Sequence, residues 1–310
     1  MKILEIGKVD LASLCYLNKE RYPFLLESVN HNDNNRYSIL FAFPSESIVL
    51  NSLSDFDFLN ELESQYKSSN LNSNLPFSGG WFVYLSYELI GQIEPILSKE
   101  LCTSEFPIAY AVKIPSAIII DHKTNTTYLI DQDSDQSRIE AMLKDIKLIK
   151  PIPEENILGE LGQENEDKFI NGVKACLDYI VAGDVFQVNL SREWQYNLTK
   201  EIDSAIIYHA LKSANPAPFS ALIQYENFTI VSSSPERLFS VQDGVLQTRP
   251  IAGTHPRGEG SEDEAQKEDL INHPKEIAEH VMLLDLERND MGRVCEYGSV
   301  FVNEVMTLET

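Results

Sequence analysis

The sequence has 310 residues, 43% of them hydrophobic, which is enough for a substantial core and suits two domains or one large one. Its 25 Lys and Arg against 48 Asp and Glu leave a net charge of −23, which repels phosphate backbones and anionic lipid, so neither nucleic acid nor a membrane is an expected partner. The opening MKILEIGKVDLASLCYL has no long apolar run before a small-residue cleavage site, and no stretch approaches the roughly 18 apolar residues of a membrane span, so a cytoplasmic location is expected.

Cys15, Cys102, Cys176 and Cys295 lie far apart without CxxC or matched His spacing, and buried thiols are expected rather than zinc or disulfides. The Asn/Ser-rich run from Lys67 to Asn74 reads as a surface loop. After the break at Pro76–Gly80, the apolar run Trp81–Leu89 fits a buried strand or the start of a buried helix. Ala117–Ile120 and Thr127–Ile130 are β-prone around a turn in His122–Asn125, so a hairpin is expected. Two prolines, two glycines and a dense acidic load between Lys147 and Asp167 place a domain boundary there, dividing residues 1–150 from 165–310.

Beyond the boundary, Phe169, Val173, Cys176, Leu177, Ile180 and Val181 recur at helical spacing, with Gly183 where a left-handed cap falls. Phe186, Val188 and Leu190 alternate with Gln187, Asn189 and Ser191, the pattern of a strand with one apolar and one polar face. Strands are also expected at Phe228–Ser233 and Val245–Thr248, each running into a polar turn. EGSEDEAQKED, from Glu259 to Asp269, reads as a solvated acidic loop. A helix starting near Pro274 carries Ile277, Val281 and Leu284 on its apolar stripe.

Glu276 and Glu279, three apart on that helix, project from one side, which is compatible with Mg²⁺, although on spacing alone such pairs more often form a solvated first turn that complements the helix dipole. Glu236, after Ser-Ser-Ser-Pro at a strand end, is either a proton donor or a surface partner of Arg237. Gly253 and Thr254 could offer donors to an anion, or simply turn the chain. No HExxH is present, so His209, His273 and His280 are taken as structural. The GxSxG, GxGxxG and GxxxxGK[ST] signatures are absent, which removes support for nucleophile-elbow hydrolases, dinucleotide binding and P-loop chemistry.

Taken together, GDVFQVNLSREW (183–194), NPAPFSA (215–221), SSSPERLF (232–239), TRPIAGTHPRG (248–258) and HPKEIAEHVMLLDLERNDMGRVCEYGSV (273–300) resemble, in this order, the chorismate-using enzymes. The resemblance is to component I of aminodeoxychorismate (para-aminobenzoate) synthase and of anthranilate synthase. It is most specific over Phe169–Thr310 and extends more weakly to PFLLES (23–28) and GGWFVYLSYEL (79–89). It implies an α+β chorismate-binding fold with mixed, largely antiparallel sheets flanked by helices.

Carried over by residue, the resemblance makes Glu279 a Mg²⁺ ligand, with Glu276 its neighbour at the metal and the substrate carboxylate. It makes Glu236 the general acid for the leaving C4 hydroxyl, and lines the chorismate pocket with Ala252, Gly253 and Thr254. Gln187 stands where water-using relatives place a lysine base, which favours ammonia supplied by a glutamine amidotransferase subunit. Leu26, Glu27 and Ser28 with Asn215, Pro216, Pro218 and Phe219 correspond to a candidate tryptophan pocket, although NPAPFS departs from the NPSPYM-like segment of tryptophan-regulated members.

Ala252 is the anthranilate synthase residue, whereas QVNLSREW, NPAPFSA and SPERLF look more like the para-aminobenzoate branch. Amination of chorismate in para-aminobenzoate and folate biosynthesis is the favoured reading, with anthranilate synthesis for tryptophan as the alternative. The resemblance further implies a C-terminal histidine, an Arg/Gly-rich segment and a second Mg²⁺ carboxylate that this sequence does not contain. The β-prone ending SVFVNEVMTLET fits a fold incomplete at its C-terminus. Hence a third expectation: a catalytically inactive remnant that at most binds tryptophan, chorismate or the amidotransferase.

Overall fold

A computed structural model describes residues 1–30, 35–66, 74–98 and 106–309. In chain order the first half comprises strand β1 (Lys2–Ile6), helix α1 (Leu11–Leu17), and strands β2 (Phe24–Glu27), β3 (Tyr37–Ala42) and β4 (Ser47–Leu50). Helix α2 (Phe58–Ser64), strand β5 (Gly80–Leu85), the short helix α3 (Ile90–Ile93), strands β6 (Ala109–Ile114), β7 (Ser116–Asp121) and β8 (Thr126–Asp131), and helix α4 (Gln136–Leu148) follow. The second half contains strand β9 (Gly159–Gln163), helix α5 (Glu166–Ala182), strand β10 (Trp194–Leu198), helix α6 (Ser204–Ala214), and strands β11 (Phe219–Tyr225) and β12 (Phe228–Ser234). It closes with strands β13 (Ser240–Gln242) and β14 (Val245–Gln247) and helices α7 (Ser261–Asn272) and α8 (Pro274–Gly292).

The main sheet has seven strands in the order β1-β8-β7-β3-β2-β11-β12, and each of its pairings is antiparallel. Strand β11 pairs with β2 in the register Leu222 to Leu25 and Ile223 to Phe24, so the sheet crosses the boundary expected between residues 150 and 165. Alternation along these strands sends successive side chains to opposite faces. Leu25 and Leu222 join Leu40, Ile118 and Leu129 beneath α1, α4 and α6. Phe24, Ala221 and Ile223 join Phe41 on the other face, against Phe82, Tyr110 and Val112 of the three-stranded β4-β6-β5 sheet. Phe24 stacks on Phe82 with centroids 4.1 Å apart, and the layers interlock there.

The 116–131 hairpin forms as expected, with Asn125 in the left-handed region at φ 52°. The Trp81 run resolves into β5 followed by a 3₁₀ turn, Tyr87–Leu89. Helix α5 is capped by the Asn165 side chain and ends at Gly183, φ 81°. Its apolar stripe is not buried against the described residues, since Val173, Leu177 and Ile180 remain exposed.

Two expectations are corrected. Residues 186–190 form no strand, because no neighbouring strand takes up their backbone groups, and Phe186 is 91% exposed. The acidic run at 259–269 is helical: α7 begins with Glu262, Asp263 and Glu264 at its positive end, and Lys267 reaches back to Asp263 at 3.0 Å and Glu264 at 2.7 Å. Of the cysteines, Cys15 is buried while Cys176 and Cys295 are only half-buried; Cys102 and most of the Asn/Ser-rich run lie outside the described residues. Among the described residues no helix is long and apolar enough to cross a membrane.

Because the β2–β11 pair belongs to one continuous core, Leu222→Ala, at a fully buried position, should cost about 3 kcal/mol. Calorimetry should show the main sheet melting in one transition in both wild type and variant. Two separate transitions assigned to residues 1–150 and 165–310 would contradict a shared core.

Candidate active site

At the end of β12 the chain turns through Pro235, and the Ser234 hydroxyl bonds the backbone around Glu236. The β13–β14 hairpin follows, tightened by Asp243 (φ 52°) and Gly244 (φ 77°), a pair suited to a two-residue turn. The hairpin brings Thr248–Thr254 back beside the Glu236 segment. The Ile251 amide donates to Glu236 Oε1 at 2.9 Å, which fixes the direction of that carboxyl.

Helix α8 supplies the facing wall. Its side chain Glu276, only 16% exposed, lies against the backbone of Gly253. A Cβ on residue 253 would fall 2.4 Å from Glu276 Oε2, so any side chain there would push the Glu276 carboxyl aside. Between these elements opens a cleft of about 530 Å³, within the range of small-molecule sites. Glu236, Ala252, Gly253, Thr254 and Glu276 line it, as do Asn215, Pro216, Pro218 and Phe219.

Three sequence-nominated groups lie elsewhere. Glu279 is outside the cleft lining and accepts a hydrogen bond from Gln187 Nε2 at 3.1 Å, so these two residues meet each other beside the cleft. Leu26, Glu27 and Ser28 do not line it either. Glu27 accepts from the Tyr208 hydroxyl at 2.6 Å and from Lys212 Nζ at 3.1 Å, while the Ser28 hydroxyl donates to the Tyr37 carbonyl at 2.9 Å. The two segments nominated for tryptophan nevertheless run side by side, since Glu27 pairs with Ser220 and the Val29 amide donates to the Ala217 carbonyl at 3.1 Å, although only the 215–219 segment lines the cleft.

Sequence reasoning passed over several cleft residues. His280, taken as structural, lines it one helical turn beyond Glu276 and lies 3.4 Å from the Met306 amide. Arg249 binds Glu304 at 2.8 Å and Glu309 at 2.7 Å, drawing residues 306–309 over the cleft. The only available signal was the arginine preceding Pro250, and its acidic partners lie some 55 residues away in sequence. Among the described residues no group of three or more His, Cys, Asp or Glu side chains is arranged to hold a metal ion. Glu276 and Glu279 remain two carboxylates from one stretch of helix.

A family description, chorismate binding enzyme, matches residues 22–310. The chain belongs to this family. It is 34% identical over 293 residues to an anthranilate synthase component I-like protein of Synechocystis, covering 91% of the chain and 60% of that relative. It is 37% identical over 269 residues to aminodeoxychorismate synthase component 1 of Bacillus subtilis, covering 82% and 57% respectively. The chain thus spans about three fifths of the length of both. Its fold matches the crystal structure of anthranilate synthase component I from Streptococcus pneumoniae with a TM-score of 0.73 and 28% identity, covering 92% of this chain and 68% of that one. The α+β chorismate-binding fold expected from the motifs is the fold observed.

If Arg249 holds residues 304–309 over the cleft of this chorismate-binding fold, Arg249→Gln should speed cleavage at Glu304 by a glutamate-specific protease while leaving the melting temperature nearly unchanged. Equal cleavage rates in the two proteins would show that the segment is held by other contacts.

Proposed function

We propose that the protein acts as an aminodeoxychorismate synthase component I, aminating chorismate with ammonia delivered by a glutamine amidotransferase subunit. The observation that carries this reading is the convergence of Glu236 and Glu276 on one cleft, with the Gly253–Thr254 segment between them. Loss of a ring hydroxyl needs a proton donor on one side and a means of holding the substrate carboxylate on the other. Glu236 supplies the first, aimed by the Ile251 amide. Gly253 and Thr254 form the second, where the Thr254 hydroxyl and backbone amides can donate to an anion, and Glu276 beside them would act through a bound cation.

The donor chemistry suits Mg²⁺. A hard cation takes one or two protein carboxylates and completes its shell with water and substrate oxygens, and Glu276 and Glu279 provide that number. When bound, the ion would neutralise the substrate carboxylate. The Gln187 amide, which donates to Glu279, orients that carboxylate and cannot remove a proton from water. Ammonia needs no such base, and this supports amination over hydration.

Anthranilate synthesis is the second reading, favoured by Ala252 in the cleft and by the likeness to proteins named anthranilate synthase component I. The two differ in whether the enolpyruvyl side chain leaves, so chromatography of the product formed from chorismate, ammonium and Mg²⁺ separates them. Aminodeoxychorismate is the product expected; anthranilate with released pyruvate would establish the alternative.

Glu236→Gln should bind chorismate as wild type does and lose about 10²–10⁴-fold in turnover, whereas Glu279→Gln should lose the response to Mg²⁺. Gly253→Ala should displace Glu276 and weaken chorismate binding with little change in melting temperature. Calorimetric titration and chorismate consumption distinguish these cases. Wild-type turnover in Glu236→Gln would remove that residue from the chemistry.

A further inference from the structure

Glu287 lies half-buried on α8, two turns beyond Glu279, and behind the Glu236 segment. Its Oε1 is 3.0 Å from Thr248 Oγ1, and the same hydroxyl oxygen is 3.1 Å from the Leu238 carbonyl. Thr248 has one proton to give. The carbonyl can only accept, and an ionised carboxylate can only accept. With Glu287 ionised, one of the two contacts therefore sets two acceptors against each other. With a proton on Glu287 both become hydrogen bonds: the carboxyl donates to Thr248, and Thr248 donates to Leu238.

We propose that Glu287 is held as the neutral acid and is a positioning residue for Glu236, its proton completing the chain Glu287–Thr248–Leu238 that ties the 235–238 segment to the 248–254 segment. These two segments carry the carboxyl assigned to proton donation and the backbone that aims it. The inference rests on the functional reading above for the role of Glu236, while the protonation state is argued from donor counting together with the burial of Glu287. Burial is the largest influence on Glu287 and pushes its carboxyl pKa up, and the negative charges of Glu236 and of Asp290, on its own helix, push the same way. A hydrogen bond donated by Thr248 to the carboxylate works in the other direction and is outweighed. Arg249, next to Thr248 in the chain, is engaged by Glu304 and Glu309. Ionisation of Glu287 would draw the Thr248 proton away from the Leu238 carbonyl and set a negative charge beside Glu236.

Glu287→Gln imitates the neutral acid, because an amide also donates to Thr248 and carries no charge at any pH; Glu287→Ala removes the donor. Three measurements on the whole chain apply. Infrared spectroscopy at neutral pH should show a protonated-carboxyl band in the wild type that is missing from Glu287→Gln. A carboxyl whose folded pKa is raised contributes stability that is full below its ordinary value of about 4.5 and is lost as pH rises through the folded value. Wild type should therefore lose melting temperature relative to Glu287→Gln on going from acid to neutral pH. Chorismate affinity should stay within about threefold in Glu287→Gln and fall at least about tenfold in Glu287→Ala, the loss expected when a partner of a partly buried hydrogen bond goes.

Absence of the infrared band together with a pH-independent stability difference would overturn the proposal. So would wild-type affinity in Glu287→Ala. Failure of every form, wild type included, to bind chorismate would instead sink the functional reading, and the infrared and melting results would still decide whether Glu287 keeps its proton.

Discussion

The pairing of β2 with β11 is the constraint on which the rest of the structure depends. Four residue pairs, from Ser220–Glu27 to Ile223–Phe24, join a strand near the start of the chain to one almost two hundred residues later. Slipping this register by one residue would move Leu25 and Leu222 from the helix-covered face to the aromatic face and empty both cores. The pairing also sets where β12 ends, because β11 and β12 are one hairpin. Glu236 leaves that hairpin two residues past its last strand residue, and Asn215–Phe219 enters it. The cleft is thus placed by a contact in which none of its polar groups takes part.

From that anchor the site is assembled by short-range devices. The left-handed turn at Asp243–Gly244 returns the chain so that the Ile251 amide reaches Glu236. The missing side chain of Gly253 lets Glu276 close in from α8, whose first turn begins at Pro274 with no competing donor to satisfy. Arg249 fastens a later segment across the opening. Together they place two carboxyl groups on one cavity.

What was legible in the sequence follows from the range of the signals. The 116–131 hairpin, the Gly183 end of α5 and the start of α8 rest on adjacent residues, and all three are where the pattern places them. The acidic run of α7 looked like a loop because its apolar content is low; the Glu264–Lys267 and Asp263–Lys267 spacings were the local evidence for a helix. Residues 186–190 alternate correctly for a strand, but alternation does not create the neighbour a strand needs. In the site, Glu236, Gly253, Thr254 and Glu276 could be nominated by motif and prove to be neighbours. Leu26–Ser28 could be nominated in the same way and lie one strand away from the cleft lining, with Glu27 paired to Ser220 and bonded to Tyr208 and Lys212. Glu287 carries no sequence signal at all. The Thr248 hydroxyl that it meets lies 39 residues earlier in the chain.

The central claim is that the cleft between Glu236 and Glu276 receives chorismate. A crystal structure of the protein with chorismate and Mg²⁺ tests it most directly. The account predicts the ligand with its ring hydroxyl toward Glu236 and its carboxylate toward Glu276 and Gly253–Thr254. Chorismate bound elsewhere, or in the cleft with its carboxylate against Glu236, would contradict it.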